Sequence, residues 1–288
     1  MPVTYPIHSL DDYLKSVMLD VDGQLDDGWG SRFSVKGRLL KAAILFADIS
    51  GFSRISQEFS PIETLIYVNN YFAWMTAEGL LGTHGVVDKY IGDELMVVFA
   101  REFGSADPVD DALKSARWMV ERDALGFHPK IGIACGEVVV GYVGTPLAYN
   151  TSVFGRPVTL ASRCCSAPRK MNGLNSILIP TETWGSRNIE TLFPCRFAED
   201  PTKGRIEFPL GWSVGARRKE ALKNIGDVEV IELCHMECEE GHTAVRMSPS
   251  IVSRIKENFE TLQQQQCVAV KRFPSEPDSI ERQPIREL

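Results

Sequence analysis

The chain has no run approaching the roughly 18 apolar residues that cross a bilayer as a helix. Its start, MPVTYPIHSLDDYL, shows no charged-then-apolar leader, and no internal repeat is visible. These absences exclude a helical membrane span and a secretion signal, so the expected setting is soluble and cytoplasmic, with no membrane partner. Positive charge is in deficit: 31 Lys and Arg stand against 38 Asp and Glu, for a net charge of -7. A protein that coats nucleic acid needs clustered cations, so no nucleic-acid partner is expected and any nucleotide bound is small and met locally. Cysteine is sparse, with seven residues, an odd count, and an adjacent pair at Cys164 and Cys165. That pattern builds no disulfide framework and reads as free thiols in a reducing compartment. Cys234, His235, Cys238 and His242 in CHMECEEGH match no standard structural zinc spacing.

What is present is a globular composition, 44% hydrophobic and 24% charged over 288 residues, enough for a full core. Residues 1–40 read as an N-terminal lead-in, 41–240 as the catalytic domain, and 241–288 as a C-terminal helix with a disordered end. Ala42 to Ala47 reads as a buried strand. In SPIETLIYVNNYFAWMTAEGLL, Ser60 is placed as N-cap, Pro61 at the first helical position and Glu63 three residues on. Ile62, Leu65, Val68, Phe72 and Met75 then recur at helical spacing, predicting a helix packed on a sheet.

GVVDKYIGDELMVVFA predicts a hairpin with polar groups at its tip, and DPVDDALKSARWMVERDAL a second helix. KIGIACGEVVVGYVG predicts a strand pair whose glycines mark bends or close backbone approach. TSVFGRPVTLASRCC leads from a loop into a helix, and SILIP and DVEVIEL predict later strands. Strand, helix, hairpin, helix, strand is the order of a ferredoxin-like α+β core, βαββαβ, here with additional strands. Ile251, Ile255, Phe259 and Leu262 form one apolar stripe in the C-terminal segment.

A lone aspartate follows the apolar run in AAILFADISGF. A buried carboxylate must be paired, coordinate a metal, or open onto a cleft. Asp48 ends the first strand and Asp93 sits at the hairpin tip, and in a ferredoxin-like sheet those strands are neighbours. Two carboxylates brought together repel unless a divalent cation lies between them, and a hard ion such as Mg2+ or Mn2+ suits oxygen donors. Ser50, Gly51 and Phe52 open the next helix, where backbone N–H groups can face an anion. Metal plus anion cradle points to a nucleoside triphosphate.

FADISGF, VVDKYIGDELM, GIACGEVVVGYVG and VFGRPVTLASR, in this order, resemble the class III nucleotide cyclase catalytic domain. The resemblance implies a ferredoxin-like fold, a homodimer with active sites at the subunit interface, and two divalent ions per site. It implies Asp48 and Asp93 as metal ligands with the Ile49 carbonyl, Lys89 and Ser152 as base readers, and Arg163 as the transition-state arginine. Lys223, in LKNIGDVEV, is similar to the triphosphate lysine. Thr159 stands where the family usually has a ribose-binding asparagine.

Lys89 and Ser152 suit adenine or a pyrimidine, and an adenylate cyclase making cyclic AMP is one reading. The Arg156-Pro157-Val158-Thr159 variant and the short flanks look like the bacterial pyrimidine cyclases of antiphage defence. That resemblance favours UTP as substrate and cyclic UMP as product, acting on a separate effector. A catalytically inactive nucleotide-binding module is the alternative of another class. A diguanylate cyclase would need a GGDEF-like hairpin, which YIGDEL echoes weakly.

Overall fold

The structure is a computed structural model that describes residues 9–24, 34–121, 123, 126–145, 148–171, 175–200 and 204–236, with 257 and 261 beyond them. The stripe Ile251 to Leu262, and Cys238 and His242, fall outside the described residues, apart from Glu257 and Thr261.

The fold is α+β, built on one sheet. Helix α1 (Leu10–Ser16) and strand β1 (Val21–Gln24) precede the long strand β2 (Ser34–Ile49). Then come α2 (Phe52–Glu58), α3 (Pro61–Gly79), the hairpin of β3 (Gly85–Ile91) and β4 (Glu94–Ala100), and α4 (Pro108–Glu121). Strands β5 (Pro129–Thr145) and β6 (Ala148–Phe154), helix α5 (Arg156–Ser166) and strand β7 (Asn175–Pro180) follow. The remainder is α6 (Thr181–Trp184), α7 (Ile189–Leu192), β8 (Cys195–Asp200), β9 (Gly204–Val214), β10 (Arg218–Leu222) and β11 (Gly226–Met236).

The strand order is β3-β4-β2-β5-β7-β11-β9-β8, with β1, β6 and β10 paired to β2, β5 and β11. Its first four members, with α3 and α4, are the expected βαββαβ core: β4 lies antiparallel between β3 and β2, and β5 antiparallel on the far side of β2. Alternation along β2 sends its side chains to two cores. Ala43, Leu45, Ala47 and Ile49 pack toward α3 and α4, while Leu40, Ala42, Ile44 and Phe46 pack toward α1 and α5. Asp48 continues the second set, so its position in the alternation puts it on the α5 face.

The cap of α3 forms as expected: the Ser60 hydroxyl accepts from the Glu63 N–H, and the Glu63 carboxylate accepts from the Ser60 N–H at 2.8 Å. Four expectations are corrected. The first strand starts at Ser34, not near Lys41, and Leu10, Tyr13 and Leu14 of α1 are buried against the sheet, so the lead-in joins the core. The segment read as a strand pair, KIGIACGEVVVGYVG, is one 17-residue strand, because its glycines mark close approach and not turns. At Gly132 a Cβ would sit 2.1 Å from the Ala161 carbonyl and 2.3 Å from the Cys165 nitrogen, so only glycine lets α5 cross there. The lead TSVF into α5, read as a loop, is β6, paired with the far half of that strand. Finally, the apolar stripe of α3 is buried only from Tyr71 onward; Ile62 is 71% and Leu65 62% exposed, so the first two turns lie off the sheet.

Candidate active site

Asp48 occupies the penultimate position of β2, opposite Lys130 in β5. Asp93 lies in the two-residue turn between β3 and β4, after Gly92, whose φ of +64° is a conformation that glycine adopts without strain. The turn brings the two side chains together, and the carboxyls of Asp48 and Asp93 share a hydrogen bond. Burial, then that hydrogen bond and the charges of Asp93 and Glu94, push the Asp48 carboxyl up to about 7, against a smaller pull from Lys130. Burial also raises Glu94, as does the charge of Asp93, against a pull from Arg163. Sequence reasoning missed Glu94 and Lys130. Their only signal was adjacency, Glu94 to Asp93 along the chain and Lys130 at the start of the strand paired with β2.

Such a pair fits a hard divalent ion. One acid must keep a proton unless a cation replaces it, and the neighbouring donors are oxygens. Ile49 adds another: its register partner is Pro129, which has no N–H to give its carbonyl. Among the described residues, no group of three His, Cys, Asp or Glu is arranged to hold a metal alone. Asp48, Asp93 and the Ile49 carbonyl would therefore hold ions whose remaining positions fall to phosphate oxygens and water.

Beside this pair, α2 starts at Phe52 with Gly51 as N-cap at φ +74° and no side chain capping it. Helical bonding begins with the Arg54 N–H to the Gly51 carbonyl at 2.9 Å. Ser50 and Gly51 thus lie between Asp48 and the start of α2 along the chain.

Lys89 and Ser152 meet. Lys89 Nζ donates to Ser152 Oγ at 2.5 Å, across 63 positions of sequence. Ser152 is buried, at 6% exposure. A bulge at Asp88 breaks the β3–β4 register between Val87 and Lys89, so Asp88 has no opposite residue. Its carboxylate lies 3.2 Å from Lys89 Nζ, an ion pair that the sequence did not disclose.

Helix α5 carries Thr159 and Arg163 one turn apart, Thr159 exposed and Arg163 half-buried. Arg163 Nε is buried with no hydrogen-bond partner among the described residues. The helix is held from behind by Arg169, which donates to the carbonyls of Cys164 at 2.7 Å, Ala167 at 3.1 Å and Ile131 at 3.1 Å. Lys223 is not brought to Asp48. It lies exposed in the turn between β10 and β11, and the registers Asp48–Lys130, Lys130–Ser176 and Ser176–Cys234 place it toward the opposite end of the sheet. From Cys234 back to Gly226 the strand runs roughly 26 Å, far beyond a lysine's reach.

The model of the adenylate and guanylate cyclase catalytic domain family matches residues 35–184. The chain belongs to this family. The matched stretch of the cyclase domain contains Asp48, Lys89, Asp93, Ser152, Thr159 and Arg163, and leaves out Lys223. An uncharacterized protein of Mycobacterium tuberculosis, Rv1318c, is 29% identical over 145 residues, covering 49% of this chain and 27% of that protein. The chain thus spans about a quarter of the length of the curated relatives it matches. The adenylyl cyclase CyaB from P. aeruginosa has a similar fold, with TM-score 0.53 at 23% identity, over 71% of this chain and 99% of that one. A bacterial light-regulated adenylyl cyclase aligns with TM-score 0.50 at 20% identity, over 81% of this chain and 60% of that one. Among the described residues of the cyclase domain, no helix is long and apolar enough to cross a membrane.

Proposed function

We propose that the protein is a nucleotide cyclase that converts a nucleoside triphosphate to its 3′,5′-cyclic monophosphate and pyrophosphate, with UTP favoured and cyclic UMP as product. The convergence of Asp48 and Asp93 carries the reading. Two carboxyls held together at a strand end, with a pKa pushed up by the contact, are poor structure and good metal ligands. Two Mg2+ or Mn2+ ions bound there would acidify the ribose 3′-hydroxyl and draw charge from the phosphate oxygens.

The chain's own residues do the rest. The start of α2 receives the phosphates, and Lys89 with Ser152 meets the base. The bond from the 3′-oxygen to the α-phosphorus forms as the bond to the β-phosphate oxygen breaks in line. The hydroxyl proton leaves to water, and pyrophosphate departs. Arg163 supplies positive charge to the phosphorane, and its unpaired Nε is a donor held ready for an oxygen. Thr159 can still hydrogen-bond a ribose oxygen but reaches less far than an asparagine would.

The site is shared between two copies of the chain in this reading. Lys223 cannot reach Asp48 of its own subunit; in the homodimer that the family resemblance implies, Asp48 and Asp93 of one copy face Lys89, Ser152, Thr159, Arg163 and Lys223 of the other. The choice of UTP, and a role in antiphage signalling through a separate effector, rest on the resemblance of the Arg156 to Thr159 variant to pyrimidine cyclases. The test is incubation of the purified protein with Mn2+ and each of the four nucleoside triphosphates, with products resolved by chromatography. A cyclic monophosphate with equimolar pyrophosphate supports the reading, and intact triphosphate in all four rejects it.

A further inference from the structure

Tyr71 is the first residue of α3 to be buried, and its hydroxyl has no hydrogen-bond partner among the described residues. The ring itself is well packed. It lies edge-on to Phe127, with centroids 5.3 Å apart, and shares one apolar cluster with Ala47 and Ile49 of β2. A phenylalanine would keep all of those contacts. The hydroxyl is the part that costs, because a donor taken out of water and left unbonded is unfavourable, and such a group in a packed core calls for a role.

Its surroundings narrow that role. Phe127 stands two residues before Pro129, the register partner of Ile49, so Tyr71 lies at the end of the sheet that carries Asp48. The next residue, Phe72, has its ring centroid 4.1 Å from that of Tyr90, on the strand that leads into the Asp93 turn. Burial, and then the charges of Cys165, Asp48, Asp93 and Asp123, raise the Tyr71 hydroxyl well above its usual value, so it keeps its hydrogen and can donate. Cys165 belongs to α5 and Tyr71 to α3, so the hydroxyl reaches the rim where the two layers meet. Two of these four neighbours are already engaged elsewhere. The Cys165 thiol donates to the Lys130 carbonyl at 3.2 Å, and the Asp123 carboxylate accepts from the Phe127 and His128 N–H groups at 3.1 and 2.7 Å. Asp48 and Asp93 are bonded to each other.

We propose that Tyr71 is a positioning residue for the metal site, its hydroxyl donating to a carboxylate oxygen of the Asp48–Asp93 pair once a divalent ion lies between them. The proposal rests on the cyclase reading and deepens it. An ion between two carboxyls ends their bond to each other, and a carboxylate has about four lone-pair sites, more than one ion takes. A hydrogen bond to an anionic oxygen is about twice as strong as a neutral one, and carboxylates that ligate a metal are commonly fixed in this way from outside the ligand set. The unbonded hydroxyl of the metal-free chain then gains its partner only on binding.

The test compares the native protein with Tyr71→Phe, which removes one oxygen and keeps the ring, and with Asp48→Asn. Mn2+ alone is titrated against each, the free ion being followed by its electron paramagnetic resonance signal, and Tm is measured in chelator. Tyr71→Phe is expected to bind Mn2+ about tenfold or more weakly. In chelator it should melt at the native Tm or above it, because the metal-free hydroxyl has no bond to lose. A residue that only fills the core would not weaken metal binding while sparing the metal-free fold. Native Mn2+ affinity in Tyr71→Phe, or a lowered Tm in chelator, overturns the positioning role and leaves the cyclase reading standing. No Mn2+ binding by the native protein, or undiminished binding by Asp48→Asn, overturns the metal site itself and the role of Tyr71 with it.

Discussion

The carboxyl of Asp48 at the end of β2 is hydrogen-bonded to that of Asp93 in the β3–β4 turn. In the proposed function a cation would replace the proton between them. Burial and the neighbouring acid push the Asp48 carboxyl up to about 7 from an ordinary value of 3.8. Between those values the folded chain binds more protons than the unfolded one, so this group makes the metal-free protein lose stability as pH rises through that window. In the proposed reading Mn2+ bound there would take the proton's place and remove the loss. Thermal melts in chelator at about pH 5 and about pH 8, repeated with Mn2+, check this. The gain in Tm from Mn2+ should be larger at the higher pH, and Asp48→Asn should abolish the difference.

Arg163→Ala should lower kcat by about 10^3-fold, the scale on which an arginine stabilises a phosphoryl transition state, with a smaller change in KM. The shared-site arrangement adds a second outcome. If the site is shared as proposed, mixing Arg163→Ala subunits with Asp93→Asn subunits would restore one complete site per heterodimer, and activity should return in a mixture of two inactive proteins. No recovery would place all these groups within one chain.

Gly132→Ala tests the packing that carries Arg163. The new methyl group would meet the Ala161 carbonyl and Cys165 nitrogen of α5, which are backbone and cannot rotate away. The expected cost is about 1–3 kcal/mol, roughly 2–4 °C of Tm for each. Activity should fall further than the loss of folded protein explains, because α5 shifts as a body. Differential scanning calorimetry beside a turnover assay separates the two effects.

How much of this was legible in the sequence follows from how local each cause is. The α3 cap needs only Ser60, Pro61 and Glu63 in a row, and it formed as read. Asp48 and Asp93 stood out because each interrupts an apolar run at a strand end, and the strand order that joins them is a property of the fold class. The meeting of Lys89 and Ser152 came from family resemblance alone, since 63 residues separate them.

The start of β2 at Ser34 was hidden because SVKGRLLK mixes charge with apolar residues, and its pairing with β5 supplies what propensity does not. Periodicity in α3 marked an apolar face correctly and could not say that the sheet ends before Ile62 and Leu65. The Asp88 bulge has no local signature at all. It appears only when β3 is laid against β4, and with it the buried carboxylate behind Lys89.

The measurement that bears most directly on the account is Mn2+-dependent release of pyrophosphate and cyclic nucleotide by the native protein and by Asp48→Asn and Asp93→Asn, each verified as folded. Turnover in the native protein, and its loss by several orders of magnitude in both variants together with loss of Mn2+ binding, is the predicted result. Undiminished turnover in either variant would contradict it.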